Sequence, residues 1–293
     1  MDRRQFLSAL SAAQVAAQEP PAGQRPVLCI FSKHLAQFDW KQVGVKAKEL
    51  GFDGVDLTVR PKGHVDPERV SEDLPRAVEA IRESGVTVPM VTTDLTSLAD
   101  RAARPTIDTM RRLGIQYFKP GYWRYAADRS ALQSIVEARL GFRGLLALAR
   151  RAGVAMGLHN HSGAYVGAGF WEYREMLMEA DPRFAGYYLD PGHATLEGGV
   201  GVWRVTLELA VPRLKMVAAK DAVWERQNGR WRPRWLPLGE GMVDWRTCFD
   251  QFARARFAGP LSLHVEYPSA NGLDAIARDA ATLRKLIAAA YGA

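Results

Sequence analysis

Residues 130–163 read SALQSIVEARLGFRGLLALARRAGVAMGLHNHSG. The first part, through Ala152, carries apolar residues at helical spacing. Gly153 stands where such a helix stops, because glycine accepts the left-handed conformation that ends a last turn. An apolar run of strand type, Val154 to Leu158, follows at once. It ends in His159, Asn160 and His161 and then a Ser-Gly turn. Residues two apart in a strand point to the same side, so His159 and His161 are expected to face one pocket together.

The same unit recurs from Val27 onward. Strand-type runs read VLCIFS (27–32), GVDLTV (54–59), VTVPMVTT (86–93), IQYFKP (115–120), VAMGLH (154–159), AGYYLD (185–190), KMVAAKD (215–221) and LSLHVE (261–266). Amphipathic stretches such as DWKQVGVKAKELGF, EDLPRAVEAIRESG and DWRTCFDQFARARF lie between them, and LDAIARDAATLRKLIAAA closes the chain. Gly51, Gly85, Gly114 and Gly153 stop helices before the next strand. Strands alternating with helices imply a parallel sheet. Eight units in about 265 residues predict a single (β/α)8 TIM barrel. A doubly wound open sheet is the alternative, but no G-x-G-x-x-G follows the first strand. No domain boundary is visible, so residues 25–293 are expected to form one barrel.

Residues 1–24 read differently. Arg3-Arg4, then Phe6-Leu7, then a small-residue stretch ending in AAQEPP resemble a twin-arginine export signal and its linker. That implies a periplasmic protein; the alternative is a cytoplasmic chain with an N-terminal extension.

With 47% hydrophobic and 24% charged residues, the 293-residue chain has an ordinary globular composition. No apolar run approaches the roughly 20 residues of a membrane span. The net charge of +7 comes from 39 basic residues scattered among 32 acidic ones. This reads as a solvated basic surface, not a nucleic-acid footprint, and is compatible with anionic substrates or sugar acids. Cys29 and Cys248 have no partner at metal spacing and are expected to be buried, inert thiols. The segment AVWERQNGRWRPRWLPLGEGMVDW (222–245) carries four tryptophans and four arginines. It reads either as a surface that stacks on sugar rings or bases or as a hairpin that caps the barrel mouth.

Chemistry in such a barrel belongs at the C-terminal ends of the strands. Those ends carry Lys33 and His34; Arg60, with His64 beyond; Thr92, Thr93 and Asp94; Lys119; His159, Asn160 and His161; Asp190 and His193; Lys220 and Asp221; and His264 with Glu266. All six histidines of the chain fall at or near these ends. Together they predict a polar pocket on one rim. Imidazole and carboxylate donors suit one divalent metal ion, Mn, Mg, Co or Zn. Such an ion polarises a carbonyl and stabilises the enediolate left when a base removes the neighbouring proton. A carboxylate or lysine beside it can be that base.

The stretches ELGFDGVDL, LHNH, LDPGHA, AAKDA, PLGEGMVDW and GPLSLHVEY resemble the sugar phosphate isomerase/epimerase family, the xylose isomerase-like TIM barrels, over about residues 27 to 290. The resemblance implies one metal held by a Glu, an Asp, a His and a Glu from strands 5, 6, 7 and 8. Asp190 and Glu266 match. His159 stands in place of the first Glu, and Ala218 in place of the His, which implies a weaker site of His159, Asp190 and Glu266. Glu266 is then the one remaining glutamate base, with Lys220 or His161 as the second proton-transfer group. His193 matches a substrate contact. Lys119, Arg60, His34, His64 and His264 are expected to complete substrate binding. The implied function is a metal-dependent isomerase or epimerase of a sugar or sugar derivative. Alternatives are a dehydratase or lyase on a keto sugar, a carbohydrate-binding barrel without turnover, and an endonuclease IV-like phosphodiesterase, which needs more rim ligands than this chain offers. The expected partner is a small carbohydrate, with no nucleic acid and no membrane span; a homo-oligomer is compatible with the sequence.

Overall fold

The computed structural model describes residues 24–292, and the expected export signal falls outside them but for its last residue. In chain order the elements are β1 (Val27–Phe31), α1 (Trp40–Glu49), β2 (Gly54–Val59), α2 (Val70–Arg82), β3 (Thr87–Thr93), α3 (Ala103–Leu113), β4 (Tyr117–Lys119), α4 (Ala131–Ala152), β5 (Ala155–His159), α5 (Trp171–Met178) and β6 (Ala185–Leu189). Then follow α6 (Pro191–Gly198), α7 (Val202–Ala210), β7 (Leu214–Ala219), β8 (Asp221–Gln227), β9 (Arg230–Leu236), α8 (Trp245–Arg254), β10 (Pro260–Leu263) and α9 (Gly272–Tyr291).

The barrel closes as the sequence predicts. Its strands run β1-β10-β7-β6-β5-β4-β3-β2, and the ring is sealed where Val27 pairs with Pro260 and Leu28 with Leu261. The pairs are parallel all round. The four helix-stopping glycines take φ between 70° and 79°, the region where a Cβ is costly. At the other end of α4, Ser130 accepts from Gln133 N–H and the Gln133 side chain returns the bond, so the helix is capped at its start as well.

Apolar stripes of the helices, such as Val43 and Ala47 on α1 and Leu74, Val78 and Ile81 on α2, are buried against the outside of the strands. A smaller cluster of Met90, Tyr188, Met216 and Ala218 is separate from that shell. Asp56 on β2 accepts from Thr92, Ser262 and Tyr188 on β3, β10 and β6. Bonds between strands that are not neighbours run through the barrel interior, so this cluster and Asp56 fill its floor. Burial pushes the Asp56 carboxyl up to about 6 even with its three donors.

Two features differ from the sequence expectation, and a third, the hairpin, is one of the two readings the sequence left open. Pro191–Gly198 forms a helix, α6, that carries no amphipathic stripe because most of its residues are buried. The eighth barrel strand ends at Leu263, so His264 and Glu266 lie just past it. The Trp/Arg-rich segment begins as an antiparallel hairpin, β8–β9, turning at Asn228-Gly229 with φ of 50° and 76°. Those angles suit a two-residue turn of the Asn-Gly type. Among the described residues, no helix is long and apolar enough to cross a membrane.

Close approach fixes one glycine. A Cβ on Gly186 in β6 would lie 2.0 Å from the Arg213 carbonyl, a backbone atom just before β7. Gly186→Ala is expected to destabilise the fold by about 1–3 kcal/mol through overpacking. Urea unfolding checks this, and a variant within about 0.5 kcal/mol of the parent would show that the backbone yields there.

Candidate active site

All eight barrel strands or the residues just after them contribute to one cavity of about 100 Å³. Phe31 and Lys33 come from β1, Arg60 from β2, Thr92 from β3, Lys119 from β4, His159 and His161 from β5, Tyr188 from β6, Lys220 from β7, and His264 and Glu266 from β10. Tyr122, beyond β4, completes the wall.

Asp190 sits at the base of this constellation, fully buried. It is the N-cap of α6, with Oδ1 accepting from His193 N–H at 2.9 Å and Pro191 in the first turn. Its backbone is clamped by Asn160, whose amide accepts from Asp190 N–H at 2.8 Å and donates to its carbonyl at 3.0 Å. Oδ2 is thereby aimed away from the helix. It meets the Lys220 ammonium at 3.2 Å and His159 Nε2 at 3.3 Å. Burial alone pushes the Asp190 carboxyl up, but Lys220 and the neighbouring histidines outweigh it and hold it well below the usual carboxylate range. Lys220 also lies 3.8 Å from Glu266 Oε2, while Lys33 reaches Oε1 at 3.4 Å. Burial raises the Glu266 carboxyl, but the two lysines outweigh it and hold it below the ordinary glutamate value, so it is ionised at neutral pH. The Trp235 ring of β9 lies 4.8 Å from the Lys220 ammonium and edge-on to His193 at 5.1 Å. The hairpin therefore covers one side of the site, and Trp231 remains exposed on its outer part.

Hydrogen-bond partners decide the histidine tautomers. Burial lowers His159 to about 4, so its ring is neutral. Its Nε2 faces the acceptor-only Asp190 carboxylate at 3.3 Å, which places the ring proton there, and Nδ1 then accepts from the Tyr122 O–H at 2.6 Å. His193 Nδ1 accepts from Ser162 N–H at 3.2 Å, so its proton is also on Nε2, 3.9 Å from Asp190 Oδ2 and otherwise unpartnered. His161 donates Nδ1–H to the Ser162 carbonyl at 2.9 Å, which leaves the Nε2 lone pair available as a base. Tyr188 donates to Asp56 and lies 3.1 Å from His264 Nε2, so His264 keeps a buried Nδ1 acceptor without a partner. Lys119 lies over the Tyr122 ring at 3.4 Å, and its burial lowers it to about 7.

Most of the residues expected from the sequence meet here: Arg60, Lys119, His159, His161, Lys220, His264 and Glu266 line the cavity, with Asp190 and His193 directly behind them. His34 stands outside the lining and accepts from Val265 N–H at 3.0 Å, which supports the turn that carries Glu266. His64 does not join the site. A bridge between Val59 and Val65 folds its loop back, and the ring bonds the Leu35 carbonyl at 3.2 Å and Thr58 at 3.3 Å. Asp221, the first residue of β8, turns instead into the hairpin base. Tyr122 and Tyr188 were not among the expected residues; for Tyr122 the available signal was the polar-aromatic run KPGYW directly after β4.

The expected metal trio is not assembled as ligands. Glu266 is separated from Asp190 by Lys220, whose ammonium approaches both carboxylates. His159 and His193 each turn a protonated nitrogen toward Asp190, and a metal ligand must offer a lone pair. Ala218, which stands where the resemblance places a histidine, is fully buried against Met90, Tyr188 and Met216. Among the described residues, no three His, Cys, Asp or Glu side chains are placed to hold an ion. The donor set does not fit a divalent metal in this arrangement.

Residues 45–286 match the model of the family described as xylose isomerase-like TIM barrel. Among curated proteins no sequence matches. Solved structures that resemble the chain include the 3-keto-D-glucoside 4-epimerase from E. coli, at 16% identity and TM-score 0.70, covering 89% of this chain and 100% of that one. The D-allulose 3-epimerase from Methylomonas sp. is 15% identical with TM-score 0.68, covering 90% and 98%. A xylose isomerase-like TIM barrel protein from Mycobacterium smegmatis in complex with magnesium is 15% identical with TM-score 0.70, covering 92% and 98%. The closed parallel barrel, its polar C-terminal rim and the family match over most of the chain agree: this protein belongs to the xylose isomerase-like TIM barrel family.

Proposed function

We propose that the protein is an isomerase or epimerase of a sugar or sugar derivative that acts by proton transfer beside a carbonyl. The observation that carries this reading is the convergence of an ionised carboxylate, Glu266, a neutral imidazole, His161, and a fixed cation, Lys220, on one cavity. A carboxylate and an imidazole can remove and return a carbon-bound proton. A cation beside them lowers the energy of the oxyanion that forms between the two transfers. Solved neighbours that are sugar epimerases support the substrate class.

The lining carries four cationic side chains, Lys33, Arg60, Lys119 and Lys220, against one carboxylate, Glu266. That balance favours a substrate with an acid group, such as a keto sugar acid. The test is a panel of neutral and acid-bearing keto sugars incubated in heavy water, with deuterium entry at the carbon beside the carbonyl followed by NMR. Enzyme-dependent exchange with product formation supports the reading. Saturable binding without exchange would make the barrel a binding protein.

Lys119 gives the reaction a pH dependence. A lysine lowered to about 7 is charged on the acid side and loses that charge as pH rises through about 7. For an acid-bearing substrate, KM is expected to rise about tenfold from about pH 6 to 8, the loss of one charge-assisted bond. Lys119→Met should flatten that profile. A pH-independent KM in the parent enzyme would remove Lys119 from substrate binding.

A further inference from the structure

We infer that Lys220 is the built-in cation of this site: its ammonium occupies the place between Asp190 and Glu266 that a divalent ion would need, and the protein works without a bound metal. The sequence neighbourhood of the lysine makes this arrangement possible. Lys220 follows the last residue of β7, is almost fully buried, and is directed inward. Asp190 Oδ2 lies 3.2 Å from its nitrogen, and Glu266 Oε2 lies 3.8 Å from the same nitrogen. The Trp235 face closes a further side of the ammonium. A second cation at this point would face the lysine charge at contact distance in a site shielded from water, where repulsion is strong. The histidines reinforce the choice. His159 turns its Nε2 proton to the acceptor-only Asp190 carboxylate with Tyr122 at its other nitrogen, and the Ser162 N–H fixes the His193 proton on Nε2. His159 serves Asp190 as a donor, the role a neutral imidazole takes beside a carboxylate that already has its counter-ion, while His193 Nε2, 3.9 Å away, makes no hydrogen bond to it.

The chemical consequence rests on the proposed function. Glu266 takes the proton from the carbon beside the substrate carbonyl. The carbon–hydrogen pair becomes the carbon–carbon double bond, and the carbonyl π pair moves onto oxygen. Lys220 holds that oxyanion by charge and a hydrogen bond. Return of a proton to the same carbon from its other face restores the carbonyl with inverted configuration; return to the former carbonyl carbon gives the isomer once the proton of the neighbouring hydroxyl has moved to the first oxygen, so no oxidant, reductant or second substrate is consumed. A fixed ammonium and a divalent ion supply the same electrostatic stabilisation, but the lysine also carries a proton it can lend to the oxyanion.

The test uses the full chain purified without chelator, with metal content measured by elemental analysis and Mn²⁺ titrated by calorimetry into the parent protein, Lys220→Met and Lys220→Gln. Circular dichroism melting selects the variants that fold. The expected result is well under one equivalent of metal in the parent, and Mn²⁺ binding at least about tenfold tighter in a folded variant, because the competing charge is gone and its carboxylates are free. The exchange reaction of the parent should be unchanged by EDTA. About one equivalent of Mn, Co, Zn or Mg in the parent, Mn²⁺ binding as tight in the parent as in the variants, or loss of exchange in EDTA with recovery on Mn²⁺ would overturn the inference. If neither variant folds, the parent's metal content and titration decide it. If no sugar exchanges at all, the proposed function fails while the metal measurements still judge Lys220.

Discussion

Replacing Glu266 by Gln is expected to lower kcat by about 10²- to 10⁴-fold with KM and melting temperature nearly unchanged. Glutamine keeps the size of the side chain and removes only the negative oxygen pair that accepts a proton. The stability effect should be small. The Glu266 side chain is 21% exposed, and its partner Lys33 is 47% exposed, so that pair is screened by solvent. Lys220 keeps its shorter contact with Asp190 in the variant. The pH dependence follows from the same neighbours. Burial raises the Glu266 carboxyl, but Lys220 and Lys33 bring it below the ordinary glutamate value. A base with a depressed value is competent above it and fails only as pH falls through it. The acid limb of kcat/KM should therefore lie below the usual glutamate range and vanish in Glu266→Gln. A variant retaining at least a third of kcat would move the base elsewhere, with His161 Nε2 the next group in reach of the cavity.

The barrel was legible in the sequence because its signals are local. Each strand is a short apolar run, and four of the helices stop at a glycine that the structure does place at positive φ. The helix α6 was not legible because Pro191–Gly198 is small, buried and without a polar face, so it has no period to read. The hairpin had a readable signal, Asn228-Gly229, but its strands carry arginine and tryptophan on largely exposed faces instead of a polar-apolar alternation. The rim followed from the strand ends, and most of its residues do meet. What a strand end does not contain is direction beyond the last pair. His64 lies only five residues after β2 yet folds away, because Val65 returns to pair beside Val59. The pairing of Asp190 with Lys220 joins residues on separate strands, and its effect on metal binding depends on which nitrogen of His159 carries the proton. That is set by the acceptor-only Asp190 carboxylate, with Tyr122, three residues past β4, at the other nitrogen, and no spacing in the chain announces the arrangement.

Asp221→Ala is expected to destabilise the fold by about 3–5 kcal/mol, the largest stability effect of any single change near the site. Asp221 immediately follows Lys220 but performs a different task. Its carboxylate is fully buried and takes four N–H donors. Oδ1 accepts from Ala222 N at 2.9 Å and Val243 N at 3.2 Å; Oδ2 accepts from Gly239 N and Trp245 Nε1, each at 2.9 Å. One side chain thus ties the start of β8 to the Pro237–Val243 loop and to the first turn of α8. Alanine would leave three buried donors, from Ala222, Val243 and Trp245, without an acceptor, with the Gly239 N–H in the more open loop, and the cost of unpaired groups adds to the loss of the charge-assisted bonds. Asp221→Asn should recover only part of the loss, since its amide nitrogen would face two of the donors. The loop is fitted to the carboxylate closely enough that a Cβ on Gly241 would stand 2.0 Å from Oδ1. This anchor also reaches the chemistry. The hairpin it fixes carries Trp235, which lies against Lys220 and His193. In an Asp221→Asn protein that still folds, urea unfolding should show the stability loss while kinetics show KM rising more than kcat falls, because the cover loosens and Glu266 stays in place. A loss of less than about 1 kcal/mol for Asp221→Ala would mean that water replaces the carboxylate at all four donors, and that the hairpin is held over the site by Trp224 and its bond to the Leu196 carbonyl instead.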